Sequence, residues 1–121
     1  MARCDQGYLC RVCRIEVEDI IDSELYLRFV IGEVDPETLH TSQECHLRCN
    51  PLLAQFITDS RFSPTIQLEG DFAKESLDPS FVSSRIALIN RGYARLWEIM
   101  QDELGMTVID YPLDEIQAKW R

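Results

Sequence analysis

Cys10-Arg11-Val12-Cys13 and, beyond residues 14–45, His46-Leu47-Arg48-Cys49-Asn50-Pro51 are the stretches that decide how this chain is read. In each pair of donor residues two others intervene. That gap lets a tight turn aim both side chains at one ion, with backbone amides directed at the sulfurs. Three thiolates and one imidazole form the soft-to-borderline tetrahedral set that zinc takes up in closed sites. Asn50-Pro51 places an N-cap before a proline at the first helical position, so a short helix over about 51–58 follows the last ligand. Its positive end would lie beside a site left with net negative charge.

Between the pairs, Leu25-Tyr26-Leu27-Arg28-Phe29-Val30-Ile31 is rich in β-branched and aromatic residues and is closed by Gly32. It reads as a strand. Asp35-Pro36 signals a turn, and His40 to Cys49 can hold a short returning strand. Knuckle, strand, turn, returning segment, ligand pair and helix, in that order, resemble the treble-clef zinc fold, which includes LIM-like and FYVE-like modules and HNH nucleases. The resemblance covers about residues 8–58. It implies metal-ligand roles for Cys10, Cys13, His46 and Cys49. Such a zinc ion is structural, because four protein ligands leave no open position for water. Cys45 adjoins His46 and offers a competing Cys45/Cys49 pair. His46 is preferred because alternation along a strand sends Cys45 and His46 to opposite faces, and His46 has the better spacing to Cys49. Cys4 reads as an unligated thiol. His40 reads as a turn residue, with a ligand or ligand-supporting role as its alternative.

The second half opens with a connection over 59–77, holding a brief extended piece at Thr65–Leu68. Asp78-Pro79 repeats the cap-plus-proline signal, and the helix it starts runs to Leu104, with Gly105 placed to end it. Val82, Ile86, Ile89, Tyr93, Leu96 and Met100 recur at spacings of four and three and make an apolar stripe. The stripe packs on the rest of the chain, or else on a second copy or a partner helix. Arg85, Arg91 and Arg95 give the helix a basic side suited to an acidic neighbour. Met106–Ile109 reads as a short strand and Leu113–Trp120 as a last short helix. The expected fold class is therefore α+β. A treble-clef-like zinc unit over 1–58 (knuckle, β-hairpin, short helix) precedes a helical part over 59–121 that packs on it.

Composition narrows the function. The chain has 121 residues, with 21 acids against 12 bases and a net charge of −9. Residues 16–44 hold nine acids and a single base, Arg28. Such a surface repels phosphate and argues against direct nucleic-acid binding. No apolar run of roughly 18 residues signals a membrane span. Met1-Ala2-Arg3-Cys4-Asp5 lacks the apolar core of a secretory signal, so the expected compartment is the cytoplasm. There, five cysteines mean metal ligands or free thiols rather than disulfides. No G-x-S-x-G, Walker A or dinucleotide fingerprint occurs. The chain thus reads as a zinc-stabilised, non-catalytic protein-interaction or adaptor domain. It would present its acidic 16–44 segment, with Leu52, Phe56 and Ile57, to a protein partner. One rival is an acidic inhibitor or nucleic-acid mimic that fills a basic channel on another protein. The other is an HNH-type metal-dependent nuclease, for which His40 and Asn50 stand nearest the family's catalytic positions but no Asp-His dipeptide is present.

Overall fold

The computed structural model describes residues 9–63, 66–102 and 105–119. Cys4 and the expected element ends at Thr65, Leu104 and Trp120 lie outside these residues.

Leu25–Ile31 is not a strand. The structure places it in a helix, α1 (Glu24–Val30). Ser23 caps it, accepting a hydrogen bond from the Tyr26 amide at 3.0 Å. Gly32, at φ +89°, ends it as a left-handed C′ residue. Its amide donates to Phe29 and that of Glu33 to Arg28 at 2.8 Å, which together form a Schellman motif. A short run that is apolar but for Arg28 fits a buried strand and a buried helix equally well by periodicity. Here the two caps decide. Every residue of α1 except Arg28 is buried, so no polar face was available to show a helical period.

The α+β, treble-clef-like expectation is overturned with it. Among the described residues there is no β-strand, only the isolated antiparallel bridges Leu9↔Glu16 and Ser23↔His46. The expected returning strand over His40–Cys49 is replaced by 3-10 turns at Leu39–Thr41 and Leu47–Cys49. The strand expected at Met106–Ile109 is likewise absent, and a 3-10 turn occupies Val108–Asp110.

The remaining helices follow their sequence signals closely. In α2 (Pro51–Ala54), shorter than expected, Asn50 accepts from the Leu53 amide. In α3 (Pro79–Gln101), Asp78 accepts from the Phe81 amide at 3.1 Å. The last helix, α4, spans Asp114–Lys119. Among the described residues no helix is long and apolar enough to cross a membrane.

One core joins both halves of the chain. Leu27, Phe29 and Val30 of α1 meet Ile89, Tyr93 and Leu96 of α3, with Phe56, Ile57, Tyr111 and Ile116 closing around them. The α3 stripe is thereby buried at Ile89, Tyr93 and Leu96 and half-buried at Val82 and Ile86, while Met100 is exposed. Phe56 and Ile57 are only 4% and 2% exposed, so they belong to this core and are not a presented surface; Leu52 is exposed. The basic side of α3 is spent on carboxylates, with Arg85 pairing with Glu33 and Arg91 with Glu115.

The two main helices approach closely at Gly92. A Cβ there would stand 2.5 Å from Ile31 Cγ2 and 2.9 Å from Leu27 Cδ1. Both neighbours are themselves packed in the core, so neither has room to withdraw. We expect Gly92→Ala to destabilise the chain by up to about 2 kcal/mol. Overpacking of ~1–3 kcal/mol outweighs the ~1 kcal/mol that alanine gains in a helix. A urea titration measures this, and a more stable variant would contradict the close approach.

Candidate metal site

The residues around the first pair form a tight loop. Leu9 and Glu16 bridge across its base, and the Cys10 amide donates to the Ile15 carbonyl at 2.9 Å. Arg14 holds φ +66° to complete the turn, a conformation that a non-glycine residue adopts at some cost. The second pair occupies the 3-10 turn that runs into the Asn50 cap. The bridge between Ser23 and His46 seats that turn against the start of α1.

These turns bring Cys10, Cys13, His46 and Cys49 together, their ligand atoms all within 4.8 Å of one another. Cys13 Sγ lies 3.3 Å and Cys49 Sγ 3.9 Å from His46 Nδ1. Tetrahedral zinc, with its usual bond lengths, would set such a sulfur–nitrogen edge at about 3.6 Å. The ring of His46 is oriented for this role. Its Nε2 lies 3.0 Å from the Glu16 carbonyl, an obligate acceptor, so Nε2 carries the proton and the Nδ1 lone pair faces the sulfurs.

The sulfurs also have the right electrostatics. Burial alone would push the Cys10 thiol up. The amides of Cys13, His46 and Val12 outweigh it and bring the thiol down to about 5. The amides of Val12 and His46 each stand 3.4 Å from Cys10 Sγ. Burial, together with hydrogen bonding to Cys10 and Cys13, then pushes the Cys49 thiol up to about 11. The Cys10 thiolate forms readily, and that of Cys49 needs a cation beside it. The donor set and spacing fit a metal ion such as zinc.

Cys45 is buried beside this cluster and outside the tetrad. Its Sγ donates to the His46 carbonyl at 3.3 Å. Burial, and then the charge of Cys10, push its thiol up to about 12. His40 sits exposed on the Leu39–Thr41 turn, away from the tetrad. The amide of Asn50 is spent on capping α2 and on Glu24.

Glu24 is the residue that sequence reasoning missed. It lies in the acidic run, yet it is 1% exposed. Its carboxylate accepts from Asn50 Nδ2 at 2.8 Å, from Arg11 at 3.2 Å and from Arg28 at 3.4 Å. Its amide donates to the Cys45 carbonyl at 2.8 Å. Arg11 stands between Cys10 and Cys13, and Asn50 directly follows Cys49. One buried carboxylate thus ties both ligand turns to the N-terminus of α1, whose partial positive charge favours it. Next to it, Glu44 is also buried. Its carboxyl is pushed above the usual carboxylate range by burial, which the Ser23 hydroxyl at 2.7 Å only partly offsets. The single sequence signal for Glu24 was its position directly after a capping serine.

No protein-family model, curated protein or solved structure matches this chain.

Proposed function

We propose that the chain binds one zinc ion as a structural element and works by contact with another protein rather than by catalysis. The observation that carries the first part is the poverty of the core around the tetrad. Among the described residues the buried members there are Cys10, Cys45 and Val17, with Cys13 and Cys49 packed against them. Val17 is the sole member that is not a cysteine. So small a cluster cannot offset the entropy of ordering its loops, whereas a structural zinc site supplies apparent folding energy on the order of 10 kcal/mol. All four donors are protein groups, which leaves the ion no open position for a substrate.

The second part draws support from what the metal-bound loop presents. Leu9, Val12 and Ile15 are 53%, 57% and 61% exposed, and apolar side chains held outward on a short rigid loop favour a protein contact. The partner in this reading is a different protein. Half of the α3 stripe that a homodimer would need is already consumed inside the chain.

Elemental mass spectrometry with X-ray absorption on the purified full chain tests the metal. We expect one zinc per chain with three sulfur neighbours and one nitrogen. A folded, metal-free preparation overturns the assignment. Photo-crosslinkers placed singly at Val12, Leu52 and Ile109 in living cells test the contact. A discrete protein adduct from any of them supports the reading, and none from all three overturns it.

A further inference from the structure

A groove of about 500 Å³ opens on the face formed by α1, α4 and the turn between α3 and α4. Phe29 and Pro112 are its buried members; Pro36, Val108 and Ile109 line it at the surface. The volume falls in the range of roughly 300–1,000 Å³ seen for ligand-sized pockets. Ile109 is 79% exposed, the most exposed large apolar residue of the described chain.

The wall that carries Ile109 is built rigidly. Arg95 donates from Nε to the Tyr111 carbonyl at 2.9 Å and from a terminal nitrogen to the Asp110 carbonyl at 2.8 Å. Gln117 Nε2 donates to the Asp110 and Pro112 carbonyls at 3.1 and 2.7 Å. The Leu113 amide ties the wall to the end of α1 through the Val30 carbonyl at 3.0 Å. A segment anchored this firmly while holding Val108 and Ile109 outward is preorganised for contact, which lowers the entropic cost of binding.

Charge selects the occupant. Pro36 is flanked by Asp35 and Glu37, both exposed. On the opposite wall stands Asp110, and Asp114 lies one helical turn before the lining residue Gln117, on the same side of α4. Among the described residues no lysine or arginine is ion-paired with any of these four carboxylates. By contrast Glu24, Glu33 and Glu115 are all paired. Unpaired carboxylates beside an apolar floor repel phosphates and anionic headgroups and attract cations.

We propose that this groove docks a segment of another protein that carries one or two large apolar side chains flanked by lysine or arginine. The proposal rests on the protein-contact reading above and names the partner's chemistry.

The test uses the zinc-loaded full chain and three 14-residue amphipathic peptides of one leucine pattern, with lysine, glutamine or glutamate at the remaining positions. In an amide NMR titration the leucine/lysine peptide is expected to shift Val108, Ile109, Glu37 and Gln117 saturably. Ile109→Asp, at a position that folding does not bury, should weaken binding at least tenfold. Asp35→Asn combined with Asp110→Asn should weaken it and flatten its dependence on salt. Equal binding of the glutamate peptide, shifts centred elsewhere, or an unchanged affinity for Ile109→Asp would overturn the proposal. So would a dimer that Ile109→Asp dissolves, or preferential binding to phosphatidylglycerol vesicles. Crosslinks from Val12 or Leu52 without any from Ile109 would sink the groove and spare the broader function, whereas silence at all three positions removes both.

Discussion

Stripping the metal with a chelator, or replacing Cys13 with Ser, is expected to unfold residues 9–22 and 44–50. The reason is the balance of forces around the tetrad. Apart from Leu47 and Ile20, which reach into the main core, the described ligand turns bury one apolar residue that is not a cysteine, Val17, and their backbone is held by turns and two lone bridges rather than by a sheet. Without the ion, the thiols of Cys10 and Cys49 share a buried site in which the second resists ionisation. Loss of a site worth on the order of 10 kcal/mol apparent would exceed the whole net stability of many domains, ~5–15 kcal/mol. Hydrogen exchange on the full chain, with and without chelator, should show full deuteration of both segments within the dead time. Addition of zinc should restore protection to the wild type and not to Cys13→Ser. Unchanged protection in the chelated protein would show that the loops hold themselves.

Glu24→Ala should have the second-largest effect, a loss of about 3 kcal/mol in a urea titration of the zinc-loaded protein. Breaking a buried ion pair from one side leaves its partners unmet. Here Asn50 loses an acceptor while half-buried, and Arg11 and Arg28 lose theirs at the edge of the core. Because Arg11 and Asn50 belong to the two ligand turns, zinc affinity should also fall, by about tenfold. Glu24→Gln keeps the size and one acceptor oxygen, so it should recover part of the stability. A double-mutant cycle with Arg11→Ala isolates the pair, and additive effects would mean that Glu24 and Arg11 act independently.

The legible parts of this molecule were those written in local chemistry. Paired donors two residues apart identified the tetrad, and cap-plus-proline signals placed the starts of α2 and α3. The α3 stripe appeared because that helix has a wet side. Short α1 has almost none, since all of its residues but Arg28 are buried, and its alternation was therefore silent. Glu24 and Glu44 were hidden for a related reason. In a run of nine acids little local distinguishes the two that turn inward, beyond the serine before Glu24, because their burial depends on partners distant in sequence, Arg11 and Asn50 for Glu24 and Ser23 for Glu44. Gly92 was likewise mute, as only a close helix crossing gives its missing side chain a meaning.

The ion, in this account, is the clasp of a ring running from residue 10 to residue 49, and α1 is a segment of that ring. The helix against which α3 leans is strung between the two ends that the clasp joins. In a cell starved of zinc the protein would then lose the footing of α1 and not only a detachable finger. Its abundance would follow metal supply steeply, like a fuse rather than a dimmer.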